Sequence, residues 1–426
     1  MNRDYDVVVV GGGTAGVIAA VQAGRAGART LLVEKTGMLG GTVTVGGINA
    51  PAHFFAWGQQ VIAGIGWELM VRTLEETGAP IPTGEYTLDT SGPPHLTMDL
   101  YVFAALCDEA VLGAGVDLLL HTMPAIVNYR EGGWSVTLCT KTGLREVRAR
   151  VLVDATGDAN VVALGGFEVV RPDVVQPASL QMHCSGYDPD ALDYAALKAA
   201  ADEAIAAGEL KTTDIAWRND GPGGLLRRHG NNANHVRAPH AETSEGKTAA
   251  EVEARRAVMR MARFFRRQPG LEGFRVDWYA PEVGIRETVT IKGKATVTAA
   301  DYEAGRFYDD AVCYAFYGID EHLNDGMGIN YRHLRRHVLP TIPRGALLPV
   351  GSRFLIAAGR IVASDREANS ALRVECPCMA MGQAAGAMAA LSAQTGLDPE
   401  QLPLPDIRAL LRQHGAIVPG DVELPA

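Results

Sequence analysis

Basic charge is scarce in this chain: 39 Lys and Arg stand against 49 Asp and Glu, a formal net charge of −10. A protein that neutralises a phosphate backbone needs the opposite balance, which argues against nucleic acid as a partner. Cysteine motifs are absent too. Cys107, Cys139, Cys184, Cys313, Cys376 and Cys378 show neither metal-ligand spacing nor the density of a small secreted scaffold, so they read as free thiols of a reducing compartment. The first residues carry Arg3, Asp4 and Asp6 and lack the basic start and cleavable apolar stretch of a secretory signal, so a cytoplasmic location is expected. No run is both long and strongly apolar. The uncharged stretch 376–397 is diluted by Pro377, Gln383, Gln394 and many Ala and Gly, and reads as a buried helix rather than a membrane span.

What the chain has in excess is glycine, 48 of 426 residues, with no collagen period or low-complexity tract, so the excess belongs to backbone turns. The length suits two or three folding units. The apolar run 6–10 predicts a parallel strand, broken by Gly11-Gly12-Gly13-Thr14-Ala15-Gly16 before a small-residue helix that reaches Arg25. A second strand over 30–34 ends on Glu34. Helices are predicted at 67–77 and 100–112, and strands at 116–121, 126–129, 135–140 and 147–154, a meander that returns to the first sheet. From about Pro172 the texture changes. An Ala-rich helix over 189–208 has a glycine stop, and Thr248-Ala249-Ala250-Glu251 reads as a capping box opening a helix that closes at Pro269-Gly270. β-like runs such as 287–297 surround these helices. A strand over 354–358 and a final small-residue helix then resume the first texture. The expected fold class is α/β: a discontinuous Rossmann-like domain, 1–170 and 345–426, with an inserted α+β domain, 171–344.

Gly11, Gly13 and Gly16 form GxGxxG between strand and helix, and Glu34 ends the next strand after 17 intervening residues. Glycines alone carry little weight, but strand, glycines, helix, strand and acid in this order are the context of a dinucleotide site. Gly11 permits the tight turn, Gly13 admits a pyrophosphate to the backbone, and Gly16 lets helix and strand pack closely. Amides at the helix N-terminus meet the negative charge. Glu34 would accept hydrogen bonds from a ribose and repel a 2′-phosphate, which favours FAD or NAD over NADP. Only one such fingerprint exists in the chain, so no separate NAD(P)H domain is expected.

Several further elements decide between dinucleotides by resemblance. Glu34-Lys35 to Gly40-Gly41-Thr42, Val153-Asp154-Ala155-Thr156-Gly157-Asp158, and Ala358-Gly359-Arg360 followed by Met379-Ala380-Met381-Gly382-Gln383-Ala384-Ala385-Gly386 resemble the glutathione-reductase/fumarate-reductase group of flavoproteins. Val283-Gly284-Ile285-Arg286-Glu287-Thr288 and Leu372-Arg373-Val374 to Gly386 are similar, more narrowly, to the FAD-dependent oxidoreductase family. The resemblance implies FAD extended across the Rossmann-like domain, with the inserted domain as a cap over the isoalloxazine and the substrate. It implies that Gly40, Gly41 and Thr42 continue the phosphate and ribityl contacts, that Pro124 offers backbone near the adenine, and that Ala155, Thr156 and Gly157 pass close to the cofactor. Asp158 is left open between the site and a turn cap. The helix begun by Cys376, Pro377, Cys378, Met379 and Ala380 would point its N-terminus at flavin N1 and the C2 carbonyl, stabilising the charge of the reduced state. Disulfide reductases of this fold carry a cysteine pair just after the glycine motif, and residues 35–60 have none. Related hydroxylases end in Gly-Asp where this chain has Gly359-Arg360, which disfavours monooxygenation. No histidine follows Gly41 until His53, so noncovalent FAD is expected.

On the substrate side, Arg286 matches the family's arginine and is read either as a holder of an anionic group or as half of a buried ion pair. Arg373, just before the last long helix, has the same two readings. The chain departs from the family where Val289-Thr290 replaces a basic pair and Arg344-Gly345 replaces Tyr-Arg, which removes cations from that neighbourhood. His183 is a candidate general base, with a core histidine as the alternative. The segment 227–240, rich in His and Asn, reads as site lining or solvated loop. His333 and His337 stand among arginines that would repel a metal, so no metal site is expected. The expected activity is a FAD-dependent dehydrogenase acting on a small organic substrate. Its electrons would pass to a quinone, oxygen, another protein or a second small molecule, with no membrane partner. Reduction of an activated double bond, or a noncatalytic flavoprotein serving a partner, are the alternatives.

Overall fold

The computed structural model describes residues 3–82, 97–130, 132–215, 221–232, 234–324 and 328–423. Its central sheet runs in the order Asp117–Leu119, Thr30–Val33, Arg3–Val10, Gly143–Asp154, Gly133–Thr140, Met123–Arg130, with Leu355–Ala357 added beside Gly143–Asp154. The first four strands and Leu355–Ala357 are parallel, while the other two form the antiparallel meander. Val7, Val8, Val9, Leu31, Leu32 and Val153 are fully buried. Strands covered on both faces need such continuous apolar runs.

Register brings four strand ends abreast: Val33 beside Val10, Val10 beside Asp154, and Asp154 beside Ala357. The glycine loop, Glu34, Ala155-Thr156-Gly157 and Ala358-Gly359-Arg360 therefore leave the sheet at one carboxyl edge, where open α/β sheets bind ligands. Two helices meet below that edge. Thr14–Arg25 crosses Glu375–Thr395 so closely that a Cβ at Gly382 would lie 2.2 Å from the Ala15 carbonyl oxygen, and one at Gly386 2.3 Å from that of Ala19. The segment expected as a buried helix is this second one. No helix among the described residues is long and apolar enough to cross a membrane.

A second apolar core runs from Ala178 to Ile285. It lies between a small antiparallel sheet (Gly230–Asn231, Met182–Ser185, Arg275–Tyr279) and the helices Tyr194–Ala206 and Ser244–Phe265. Apolar side chains from Val289 to Leu347 instead join the first core, so the segment 289–344, assigned by sequence to the inserted domain, packs with the nucleotide-binding layer. Three local expectations shift. The long helix starts at Ser244, because Thr243 accepts from the Gly246 amide at 3.1 Å and caps it first; Glu251 then bonds the Val283 amide at 2.8 Å rather than closing a capping box. The helix expected over 189–208 is divided, since Asp193 accepts from the Ala195 and Ala196 amides and starts Tyr194–Ala206 anew after the short turn Pro189–Ala191. In 287–297 only Thr290–Ile291 pairs as a strand, with Val169–Val170. The amides of Ile291 and Val297 go to the carbonyls of Ile361 and Ala363, which stitch this run to the turn after the last sheet strand.

Candidate active site

The glycines of the loop have different reasons to be glycine. Gly11 has φ +103 and a Cβ there would sit 2.3 Å from the Ala155 carbonyl oxygen; at Gly16 the distance to the Gly11 carbonyl oxygen is 1.8 Å. Both positions are closed by protein. Gly13 is not: its φ of −67 suits any residue, and a Cβ would meet nothing nearer than Gly41 Cα at 3.9 Å. The bare backbone at Gly13 leaves room for a ligand that lies on the loop. Neither Gly13 nor Val374 caps its helix with a side chain; the first-turn amides of Thr14–Arg25 are open to an anion, whereas at the second helix Cys376 already donates to the Pro51 carbonyl at 3.1 Å and Pro377 has no N–H, which leaves the Glu375 amide.

Above this edge lies a cavity of about 2070 Å³. The glycine loop contributes Gly11, Gly13, Thr14 and Ala15; the second strand contributes Glu34 and Lys35; the following turn contributes Gly41 and Thr42. Pro124, Ala155, Thr156, Gly157, Gly359 and Arg360 line it as well. Gly16 and Gly40 shape the backbone behind the wall. Met379 and Ala380, expected at the cofactor, do not line the cavity. The helix presents Glu375 and Cys378 to it, while Met379 is buried where a Cβ on Gly66 would meet it at 2.9 Å.

Glu34 is held at the strand end: Oε2 accepts from the Gly12 amide at 2.6 Å, and Oε1 from the Thr36 amide and hydroxyl, each at 2.8 Å. Lys35 reaches Glu282 of the second unit at 2.5 Å. Asp158 caps no turn. Its carboxylate accepts from Arg360 at 2.8 Å and Thr288 at 3.0 Å, while Asp154 serves the Thr156 and Val162 amides. Glu375 is buried and accepts from the Thr14 hydroxyl at 2.6 Å. Burial pushes its carboxyl up to about 7, against the opposing pull of Thr14, Arg360 and Arg373.

A second polar cluster stands on the cavity wall. Arg286, 9% exposed, donates through Nη1 to the Pro177 carbonyl at 2.7 Å and the Ser179 hydroxyl at 3.0 Å. These acceptors are neutral, so the ion-pair reading of Arg286 is not what the structure holds. Burial, then Arg373, lower its guanidinium to about 9, which leaves it charged at neutral pH. Arg373 does pair: Nη2 lies 3.6 Å from Asp320 Oδ2 and donates to Gln176 Oε1 at 3.2 Å. Asp320 also faces His322 Nε2 at 3.4 Å, and His322 Nδ1 meets His235 Nε2 at 3.1 Å. Burial, then the Arg286 charge, push His322 down to about 3. Arg373 Nε, Asp320 Oδ1 and Gln176 Nε2 are buried without a protein partner among the described residues. Each such group costs about 1–3 kcal/mol, so the cluster is not there for stability.

His183 stands apart from this cluster, although it too borders the cavity. Its side chain is 47% exposed and pairs with Asp277 at 2.8 Å. The segment 227–240 divides, with Asn234 and His235 buried and the His240 side chain 72% exposed. His333 and His337 line the cavity outside any helix, and the described residues contain no group of side chains suited to a metal. Sequence reasoning did not single out Asp320 and His322, whose run Asp320-Glu321-His322 carries a surface-like composition. Their strand, Ile319–His322, is buried at all four positions.

The profile of the family described as FAD dependent oxidoreductase matches residues 6–411. The chain belongs to that family. Its cofactor is FAD, and the open backbone at Gly13 and the uncapped first turn behind it fit it. Among curated proteins, this oxidoreductase is 33% identical over 182 residues to a thiamine thiazole synthase of Aeropyrum pernix, across 37% of this chain and 56% of that protein. It is 55% identical over 53 residues to a dihydrolipoyl dehydrogenase of Trypanosoma brucei brucei, across 12% of this chain and 11% of that protein. The chain thus spans little more than half, or much less, of the curated relatives it matches. Among solved structures, a geranylgeranyl bacteriochlorophyll reductase-like protein of Thermoplasma acidophilum aligns with 97% of this chain and 84% of its own, at 12% identity and a TM-score of 0.44. An anhydrotetracycline hydroxylase of Streptomyces rimosus aligns with 43% of this chain and 38% of its own, at 20% identity and a TM-score of 0.32.

Proposed function

We propose that this FAD-dependent oxidoreductase is a dehydrogenase that takes hydride, together with a proton, from a C–H bond of a small organic anion. The observation that carries the reading is Arg286, a buried cation on the cavity wall whose hydrogen-bond acceptors among the described residues are neutral. A buried guanidinium with no carboxylate at hydrogen-bond distance among the described residues favours an anion arriving with the substrate, where a charge-assisted hydrogen bond is about twice as strong as a neutral one. Arg373 adds a second cation, and Asp320 offsets one of the two. FAD supplies the hydride acceptor. In this reading His322 takes the proton through Nδ1, which exchanges its His235 contact for the substrate, while Asp320 orients Nε2, burial keeps the ring neutral, and an arriving anion offsets Arg286 and raises its basicity. This reading moves the base from His183 to His322. A quinone, oxygen, another protein or a second small molecule then accepts the electrons.

The test is anaerobic addition of small carboxylates, and of their neutral amides, while flavin absorbance is followed. Bleaching by an acid and not by its amide supports the reading. Reoxidation of the reduced protein by electron-poor alkenes, with no bleaching by any acid, would turn it into a reductase. Acid precipitation that releases the chromophore would establish noncovalent attachment.

A further inference from the structure

We infer that Glu375 binds FAD as a neutral acid, so that cofactor binding takes up a proton at this residue wherever the apoprotein holds it ionised. The inference rests on FAD as the cofactor and not on the reaction proposed above.

Glu375 is the first residue of the long helix Glu375–Thr395, is 8% exposed and lines the cavity. One oxygen accepts from Thr14, and the other takes no protein hydrogen bond among the described residues. Thr14 is itself the first residue of the helix behind the glycine loop, whose uncapped amides are where a diphosphate is received. The buried Glu375 carboxylate, bonded to Thr14 at the start of that helix, would then face a diphosphate received by the same helix end, and like charges so placed repel. A protonated Glu375 removes that repulsion and gains an O–H to donate.

The charges around Glu375 do not offer another solution. Arg360 faces it from the turn after the last sheet strand, but its guanidinium is committed to Asp158, Gly157 and Ile285. Arg373 faces it from the end of the preceding short helix; its Nη2 is committed to Asp320 and Gln176, and its Nε has no partner among the described residues. Neither lies within ion-pair distance of Glu375 among the described residues. On its own helix the Cys376 and Cys378 thiols are buried, bonded to the Pro51 and Arg373 carbonyls, and held neutral by burial. Without the cofactor, burial alone already brings Glu375 close to half-protonation at neutral pH. The cofactor's phosphates add to the same side of that balance.

The test is FAD titration of the apoprotein, read by flavin fluorescence between about pH 6 and pH 9, with calorimetry in buffers of different ionisation enthalpy. The expected Kd is flat at the acid end and rises by up to about tenfold per pH unit above neutrality, with net uptake approaching one proton per FAD. Glu375→Gln carries an uncharged side chain of the same shape, so its Kd should match the acid-end value of the wild type and stay flat. A wild-type Kd and binding heat independent of pH and buffer would overturn the inference. So would a Glu375→Gln protein that keeps the wild-type slope. If that variant does not fold, proton uptake by the wild type alone decides. No substrate enters the assay, so failure here leaves the dehydrogenase reading standing, and the reverse.

Discussion

Arg360 donates through Nε to the Gly157 carbonyl at 2.6 Å and through Nη2 to Asp158 at 2.8 Å, locking the loops that leave two adjacent parallel strands. Its third arm reaches the Ile285 carbonyl at 3.0 Å and so ties both loops to the segment that carries Arg286. The two side chains are 17% and 20% exposed. Arg360→Met should therefore leave Asp158 as an uncompensated charge. Removing one partner of a largely buried pair costs about 3 kcal/mol. The expected outcome is a Tm several degrees lower, with Asp158→Asn milder because Thr288 can still bond the amide oxygen. Calorimetry of the two variants and the double mutant checks it: the double mutant should recover part of the loss.

The contrast between Gly13 and Gly16 separates a glycine kept for a ligand from one kept for the fold. A methyl at Gly16 would meet the Gly11 carbonyl oxygen at 1.8 Å, while one at Gly13 has 3.9 Å to its nearest neighbour. Gly16→Ala should fold poorly, if at all. Gly13→Ala should fold with a near-wild-type Tm in the apo form, yet bind FAD at least about tenfold more weakly, the equivalent of about 1.4 kcal/mol. Flavin content after purification and a Tm measured without FAD give the two readouts.

Why the nucleotide half was so legible follows from local physics. The run 6–10, the three glycines and Glu34 lie within one strand–helix–strand unit, where each residue's task is set by neighbours close in sequence. The capping error at Thr248 was also local: two threonines competed to start one helix, and Thr243, in extended backbone, came first. The substrate side was harder for a different reason. Arg286, the Asp320/His322 strand, His235 and Arg373 come from four separate stretches of chain and become neighbours only through tertiary packing. Asp320-Glu321-His322 carries a surface-like composition into a buried strand, and nothing in its periodicity announces the burial.

For that cluster the pH dependence discriminates between the two candidate bases. His322 is held down to about 3 by burial and the Arg286 charge, so in the free enzyme it remains neutral well below the ordinary histidine value of about 6.5. The acid limb of kcat/KM should therefore lie below the ordinary histidine range. His322→Gln should lower kcat by about 10²- to 10⁴-fold, the usual worth of a positioned base, with unchanged flavin content. Arg286→Met should chiefly raise KM for an anionic substrate and leave KM for its neutral amide alone. His183→Gln, altering a half-exposed Asp277 pair, should change neither constant appreciably. Loss of kcat at His183 with none at His322 would reverse the assignment.

Glu375 should also leave its mark on the stability of the apoprotein, with a sign opposite to that of most carboxylates. Its folded value is raised from 4.5 to about 7 by burial. As pH climbs through that interval the unfolded chain gives up this proton before the folded one does. The folded state then binds more protons, and stability falls with rising pH. The contribution is intact below the unfolded value and is lost by the time pH has passed the folded one. Glu375→Gln has no such proton, so its stability relative to wild type should grow from acid to mildly alkaline pH by on the order of a few kcal/mol. Other titrating groups, including Asp320 with its lowered carboxyl, act on both proteins and cancel in the difference. Urea unfolding of the two apoproteins at matched pH values measures it. Saturating FAD should widen the difference at alkaline pH, because the wild type must take up a proton to bind the cofactor there and so binds it more weakly, while the glutamine variant does not.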